Sequence, residues 1–155
     1  MEAVILECGD FPKKEYPREL LRRADVIICC DRALDTFLRH RDKIFKDLRD
    51  PDAIIGDMDS ISPKHLKEYS RIAIREEEQE TNDQTKAFRY LLEHWPEVKT
   101  VHILGATGKR EAHTLGNLGQ IMEYARLYGA SGNPDEDRIY VDAVSDYSTA
   151  FALTD

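Results

Sequence analysis

The feature that most constrains the fold is an alternation of short apolar runs with segments of helical periodicity. The apolar runs, several of them rich in β-branched residues, lie at 3–8, 26–30, 53–55, 71–74, 100–104, 139–144 and 149–153. Each of the first five precedes a segment that is typical of a helix. This order predicts an α/β fold of three layers, a mostly parallel, Rossmann-like sheet with helices on both faces.

Length and composition predict one soluble domain spanning residues 1–155. A net charge of -8 and the lack of a Lys/Arg-rich stripe argue against a nucleic-acid partner. No apolar run approaches the ~20 residues of a membrane span, and the first residues lack the pattern of a signal peptide. Cys8, Cys29 and Cys30 lie in apolar runs and are odd in number, which favours reduced core thiols. We therefore expect a cytoplasmic protein without a membrane partner.

Acidic residues directly follow two of the predicted strands. Asp57 and Asp59 come after the run at 53–55, separated by one residue, and Asp31 follows the run at 26–30. Ligands bind at the carboxyl ends of parallel strands, and closely spaced carboxylates suit Mg²⁺. Two plainer interpretations stay open, namely an ordinary acidic turn at Asp57 and Asp59, and an N-cap role for Asp31.

A second set of carboxylates precedes or begins the fourth helix. Thr81 and Gln84 have the spacing of a capping box, which places Asp83 in the first helical turn. Glu80 and Asp83 would then reach the same sheet edge as the earlier acids, or Asp83 merely complements the helix dipole. Lys86, one turn further on, is either a phosphate contact or a solvent-exposed lysine.

A glycine-containing loop, Gly105-Ala106-Thr107-Gly108-Lys109-Arg110, separates the fifth strand from the last helix. Backbone amides and a helix start at such a place form an anion site, and the basic residues add positive charge. The loop is not a Walker A motif, because two residues rather than four separate its glycines. The helix is predicted to begin at 113 or 114 and to end at Gly129, with Met122 facing inward. Asn117 is either a ligand contact or a surface amide.

Three motifs in this order resemble those of thiamine pyrophosphokinase: 56–60, 80–87, and 105–110 with 113–118. The match covers nearly all of the chain, as the amino-terminal α/β domain of that family. The resemblance implies transfer of pyrophosphate from Mg-ATP to the hydroxyl of thiamine, giving thiamine diphosphate and AMP. It implies Asp57, Asp59 and Asp83 as catalytic residues and, together with Glu80, as Mg²⁺ ligands. The ATP-binding residues that it implies are Gly56, Gly105, Thr107, Gly108, Arg110, Asn117, Lys86 and Asp31.

The chain also departs from the family pattern. Where the family has Arg-x-Asp-His, residues 110–113 read Arg-Glu-Ala-His, so Ala112 replaces an acid. Glu111 is a poor substitute, because neighbouring helical residues point about 100° apart. Asn82 replaces a threonine, and Glu80 replaces an aspartate. Family members continue into an all-β domain that helps to bind thiamine, usually across a homodimer, so we expect a domain fragment whose own activity is open.

Two other functions remain as alternatives. In a metal-dependent phosphohydrolase, Asp57 and Asp59 would supply a nucleophile and an acid/base. Such pairs normally follow the first strand, whereas this pair follows the third. A non-catalytic nucleotide-binding module is the other alternative, which Ala112 and the expected lack of the all-β domain make plausible. Magnesium-dependent ATP binding without turnover would indicate the module.

Overall fold

The computed structural model describes residues 1–76, 82–108, 111–130 and 138–152. For residues 111–115 it describes the backbone but not the side chains. The strands are β1 (Glu2–Leu6), β2 (Val26–Cys30), β3 (Ala53–Gly56), β4 (Ala73–Arg75), β5 (Thr100–Leu104), β6 (Tyr140–Val144) and β7 (Thr149–Ala150). The α-helices are α1 (Glu15–Arg23), α2 (Ala33–His40), α3 (Pro63–Glu68), α4 (Asp83–His94) and α5 (Glu111–Tyr128). Single 3₁₀ turns lie at Arg41–Lys43 and Ser70–Ile72.

The described strands form one sheet in the order β4-β3-β2-β1-β5-β6-β7. All pairs are parallel except β6 with β7. The chain adds β2, β3 and β4 on one side of β1 and then crosses to place β5 on the other side. In open α/β sheets the crevice at such a switch of direction, outside the carboxyl ends of the strands, is the usual ligand site. The predicted mostly parallel sheet is confirmed.

Helices cover both faces of the sheet, as predicted. On one face α4 and α5 bury Phe88, Leu91 and Tyr124 against alternate strand residues, and the Phe88 and Tyr124 rings stack 4.2 Å apart. On the other face α1 and α2 bury Leu20 and Phe37 against the remaining strand residues. A sheet that is covered twice needs strands that are apolar on both sides, which explains the continuous apolar runs.

The predicted capping box of α4 is wrong by one residue. The cap is Asn82, whose side chain accepts a hydrogen bond from the Thr85 amide at 2.9 Å. Thr81 lies outside the described residues. Gln84 is fully buried and donates to the Asn117 carbonyl oxygen at 2.9 Å, so it does not return to the cap. Asparagine caps helices at least as well as threonine. Gln84 lies on the buried face of α4, where its side chain cannot reach the cap.

The last helix begins earlier than predicted, at Glu111, and one position that was predicted to face inward is exposed. Met122, predicted to face inward, is 60% exposed, whereas Ile121 and Tyr124 are buried. Gly129 adopts a left-handed φ of 68° directly after the helix, which confirms its predicted role as the C-cap. Within the described ranges, every helix is too short or too polar to cross a bilayer.

The strand ends and the cysteines differ only slightly from expectation. β1 ends at Leu6, two residues before the predicted end. β4 begins at Ala73, because a 3₁₀ turn takes up the residues before it. Cys29 and Cys30 are buried free thiols, as predicted, and Cys8 is a partly buried one.

Candidate functional site

Four carboxylates gather at the carboxyl edge of the sheet. Glu7, Asp31 and Asp57 follow β1, β2 and β3 directly, and Asp83 is the first residue of α4. The parallel register aligns the ends of β2 and β3, and the Asp31 amide donates to the Ile55 carbonyl oxygen at 2.8 Å. Adjacent strand ends therefore bring the acids of β2 and β3 together.

Gly56 lies at the centre of this acidic cluster. A Cβ atom placed on Gly56 would lie 3.1 Å from the Asp31 Cβ and 3.4 Å from Asp83 Oδ2. The backbone φ of Gly56 is also +149°, which side chains rarely adopt. Glycine at this position lets the carboxylates of Asp31 and Asp83 approach the chain that leads into Asp57.

Two non-glycine residues beside the cluster adopt left-handed backbone conformations. The φ angle is 50° at Asp31 and 72° at Met58. The Met58 side chain is buried in the core beneath α1 and α2, and the Asp59 amide donates to Asp57 Oδ1 at 3.0 Å. Such conformations cost about 1–2 kcal/mol each and concentrate at functional sites. Two of the three left-handed non-glycine residues in the described part of the chain therefore lie beside the acidic cluster.

The electrostatics of the cluster are unfavourable for a site without a cation. Burial, reinforced by the charges of Asp57 and Asp83, raises the pKa of Asp31 to about 6, although the Ser60 hydroxyl stabilises the carboxylate. Burial also raises the pKa of Asp83, with Lys86 opposing and Asp57 adding to the shift. Among the described residues, the buried Asp31 Oδ1 has no hydrogen-bond partner. A proton or a cation bound at this cluster would relieve the repulsion between these carboxylates.

Lys86 is buried rather than exposed to solvent. Its side chain is 5% exposed, and Nζ donates to the Glu76 carbonyl oxygen at 3.2 Å. Nζ also lies 3.9 Å from Asp83 Oδ1. The expectation of a solvent lysine is therefore wrong, and the ammonium group partly offsets the charge of Asp83.

Glu7 belongs to this edge but was missed by sequence reasoning. Burial raises its pKa to about 7, against a hydrogen bond with Cys30, and the charge of Asp83 raises it further. In the described part of the chain, the buried Glu7 Oε1 has no hydrogen-bond partner. Because β1 was predicted to continue to Cys8, Glu7 looked like a strand residue. An acid at the end of an apolar run was the available signal.

The glycine loop lies on the other side of β1, at the switch point of the sheet. The Gly9 amide donates to the Gly105 carbonyl oxygen at 2.6 Å, and the Asp10 amide donates to the Thr107 carbonyl oxygen at 2.9 Å. A Cβ on Gly9 would lie 2.2 Å from the Gly105 oxygen, and one on Gly105 would lie 2.5 Å from the Glu7 oxygen. Only glycines allow the two loops to pack this closely.

Asn117 anchors the glycine loop from α5. It is buried, and its Nδ2 donates to the Ala106 carbonyl oxygen at 3.2 Å. At the tip of the loop, a Cβ on Gly108 (φ +107°) would lie 2.1 Å from Asp10 Oδ2. The surface-amide interpretation of Asn117 is wrong, because its side chain holds the loop against the helix.

The remaining predicted site residues are either exposed or outside the described part of the chain. The Asp59 side chain is exposed. Glu80 and Arg110 lie outside the described residues, as does the side chain of Ala112. In the part of the chain that the structure describes, no three His, Cys, Asp or Glu side chains are arranged to hold a metal ion by themselves.

Comparison with known proteins identifies the family. The family model of the thiamin pyrophosphokinase catalytic domain matches residues 17–128. Among solved structures, thiamin pyrophosphokinase from Candida albicans is 20% identical, with a TM-score of 0.68 over 93% of this chain and 58% of that chain. Yeast thiamin pyrophosphokinase is 16% identical, with a TM-score of 0.72, and the match covers 93% of this chain and 58% of the yeast chain. Thiamine pyrophosphokinase from Bacillus subtilis is 22% identical, with a TM-score of 0.65, and the match covers 93% of this chain and 60% of that chain.

These structural likenesses show a shared fold, and the chain spans less than two thirds of each of those three chains. No curated protein sequence matches significantly. The family model covers well over half of the chain, and it confirms the resemblance drawn from the three motifs. The chain belongs to the family of thiamin pyrophosphokinase catalytic domains.

Proposed function

We propose that this chain is the Mg-ATP-binding domain of an enzyme that transfers pyrophosphate from ATP to the hydroxyl of thiamine. The acceptor oxygen attacks the β-phosphorus, the bond from that phosphorus to the α-phosphate oxygen breaks, and AMP leaves. The products are thiamine diphosphate and AMP, and the hydroxyl proton is released. The observation that carries the proposal is the gathering of Asp31, Asp57 and Asp83 at the carboxyl edge, one strand away from the glycine loop.

The chemistry of the acidic cluster fits Mg²⁺. Magnesium takes one or two carboxylates and completes its shell with phosphate oxygens and water, so a cage of three protein ligands is not needed. Asp31 and Asp57 would hold the ion, since Asp31 offers a buried oxygen without a partner among the described residues. Asp83 lies close by, and Asp59 and Glu80 remain proposed ligands from the family resemblance. When bound, Mg²⁺ neutralises charge on the triphosphate.

The glycine loop is the proposed triphosphate site. It precedes the amino terminus of α5, where unpaired backbone amides favour an anion. Packing against Gly9 and the bond from Asn117 hold the loop in place. Arg110, proposed from the family resemblance, would add a bidentate phosphate contact. Lys86 would act indirectly, by limiting the repulsion around Asp83.

The family resemblance also supports thiamine as the acceptor, a homodimer as the assembly and the cytoplasm as the location. The alternative with a specific observation in its favour is a nucleotide-binding module without turnover. It rests on Ala112, which stands where the family has an acid.

Phosphorus NMR of the chain with ATP, Mg²⁺ and thiamine tests the proposal. We expect resonances of AMP and thiamine diphosphate that depend on both Mg²⁺ and thiamine. ADP with inorganic phosphate would overturn the proposal in favour of a phosphohydrolase. Intact ATP, together with Mg²⁺-dependent ATP binding measured by calorimetry, would show a binding module. A parallel sample of Ala112→Asp, which restores the acid, would then show whether the alanine is the reason for the lack of turnover.

A further inference from the structure

One carboxylate ties the segment that carries Asp57 to a neighbouring helix. Asp35 lies in the first turn of α2, one turn after Asp31. Its Oδ2 accepts a hydrogen bond from the Ser62 amide at 3.0 Å, and its Oδ1 lies 2.5 Å from His65 Nδ1. Asp35 therefore joins the start of α2 to the start of α3.

The segment between β3 and these contacts needs such a restraint. It runs from Asp57 to Ser62 and passes through the left-handed Met58, whose side chain is 4% exposed. Ile61 is also buried, at 5% exposed. A residue in this backbone region persists only where the surroundings hold it. The buried side chains anchor the middle of the segment, and Asp35 anchors the end at which it enters α3.

The same helix start carries one of the proposed Mg²⁺ ligands. Asp31 immediately precedes α2, and the Ser60 hydroxyl of the anchored segment lies close enough to the Asp31 carboxylate to lower its pKa. Asp35 thus fixes two pieces of chain against each other, one with Asp31 and one with Asp57. Catalytic and binding groups need this kind of support from residues that do not touch the ligand.

We propose that Asp35, with His65 as its partner, is a positioning residue that sets the separation of the Asp31 and Asp57 carboxylates so that both reach one cation. The inference rests on the proposed function and assigns to Asp35 no contact with metal or substrate. Asp35 is not one of the residues that the family resemblance implied.

A purely structural role for Asp35 is the competing explanation, and the chain offers a matched control. Asp50 Oδ1 also accepts two hydrogen bonds, from Arg41 Nη1 at 2.6 Å and from the Tyr69 hydroxyl at 2.8 Å. It likewise links the end of α2 to the end of α3, but it has no contact with the Asp57 segment among the described contacts. Removing either carboxylate loses two contacts. The Asp50 side chain is 59% exposed and the Asp35 side chain is 22% exposed, so the control matches the contacts in number but not in burial, and the stability of both variants is measured alongside.

The test is a Mn²⁺ titration in the presence of a non-hydrolysable ATP analogue, followed by loss of the free-ion EPR signal. Mn²⁺ stands in for Mg²⁺, and the readout does not require turnover. We expect Asp35→Ala to weaken nucleotide-dependent Mn²⁺ binding on the order of ten-fold, as is typical when a supporting group is lost. Asp50→Ala should bind Mn²⁺ as the wild type does, and thermal unfolding of both variants records how much stability each one loses. Asp35→Asn, which keeps an oxygen for the Ser62 amide, should recover part of the affinity.

The outcomes separate this inference from the proposed function. Wild-type Mn²⁺ affinity in Asp35→Ala overturns the positioning role and leaves the metal site standing. Absence of nucleotide-dependent Mn²⁺ binding in the wild-type chain overturns both. If Asp35→Ala does not fold, His65→Ala removes only one of the two contacts and should weaken binding by about three-fold, a smaller effect than loss of the whole support. Unchanged affinity in that variant also overturns the role.

Discussion

The two edges of the sheet use aspartates in opposite ways. At the amino edge, Asp25 Oδ2 accepts from the Glu2 amide and Asp52 Oδ2 accepts from the Ile27 amide, both at 2.8 Å. Arg49 Nη2 lies 3.3 Å from the Asp52 carboxylate. At the carboxyl edge, burial and neighbouring charges raise the pKa of Asp31, and one of its oxygens has no partner among the described residues.

This contrast separates carboxylates that stabilise the fold from buried carboxylates that repel one another. A carboxylate that accepts backbone amides favours the folded state, whereas buried carboxylates that repel one another oppose it. A cation bound at the carboxyl edge would relieve that opposition. Strongly perturbed carboxyl groups in a crevice are therefore candidates for function. The predictions below test whether the two edges differ in this way.

The largest effect is expected at the carboxyl edge, from Asp57→Asn. The substitution removes a proposed metal ligand and keeps the side-chain shape, so Mg-ATP turnover or affinity should fall on the order of 100-fold. The free energy of unfolding should stay within about 0.5 kcal/mol of wild type, because a loop carboxylate is not part of the core. Magnesium titrations of activity or binding, with urea unfolding alongside, measure both. Unchanged magnesium dependence would remove Asp57 from the metal site.

Glu7→Gln should stabilise the chain at high pH. Its folded-state pKa of about 7 lies above the usual 4.5, so the folded chain binds the proton more tightly than the unfolded chain. The stability penalty of ionising Glu7 therefore appears as the pH rises from 4.5 towards 7 and is complete above 7. Glutamine avoids it, which should raise the free energy of unfolding at pH 8 by up to about 3 kcal/mol.

Urea unfolding of Glu7→Gln and wild type at pH 4.5 and at pH 8 measures this effect. The difference between the two proteins should nearly vanish at pH 4.5, where Glu7 is protonated in the folded state and half protonated in the unfolded state. An equal difference at both pH values would show that packing, rather than charge, distinguishes the glutamate from the glutamine.

Asp52→Ala tests the amino edge, where we expect a loss of stability without a loss of Mg-ATP affinity. It removes the acceptor for the Ile27 amide and the partner of Arg49, so the free energy of unfolding should fall by about 2 kcal/mol. Mg-ATP affinity should not change, because the residue lies at the far end of the strands. Calorimetric titration and denaturant unfolding measure the two quantities. A large loss of affinity would contradict the division between the edges.

The smallest effect is expected from Asn82→Ala, which tests a purely stabilising residue beside the acidic cluster. Loss of the α4 cap should cost about 1 kcal/mol in thermal or denaturant unfolding. Asn82→Ser keeps a capping oxygen and should lie within a few tenths of a kcal/mol of wild type. If serine is as harmful as alanine, the contact of Asn82 Nδ2 with Asn117 matters more than the cap.

The alternation of apolar and amphipathic segments was enough to predict the parallel sheet and its two helical layers. The meeting of Asp31, Asp57 and Asp83 was also predictable, because parallel strands end at one edge. Local boundaries were harder. Both Thr81 and Asn82 are good caps, and only the packing of Gln84 decides between them. Likewise, Ile121 rather than its neighbour Met122 lies on the buried face of α5, and because both residues are apolar the sequence pattern does not distinguish them.

The properties that arise from tertiary contacts could not be predicted from the sequence. Lys86 is buried, and its ammonium group donates a hydrogen bond to the carbonyl oxygen of Glu76, ten residues earlier. The raised pKa of Glu7 depends on burial beside Cys30 and Asp83, which come from other elements. The contacts of Asp35 with the start of α3 likewise require the two helices to be placed. None of these has a local pattern that marks it.

The most direct test of the central claim is an anomalous difference map from crystals soaked with Mn²⁺ and a non-hydrolysable ATP analogue. We predict a manganese peak between the carboxylates of Asp31 and Asp57, with the triphosphate extending towards the Gly105–Gly108 loop. A peak at the amino edge, or nucleotide bound away from the carboxyl ends of β1 and β5, would contradict the account.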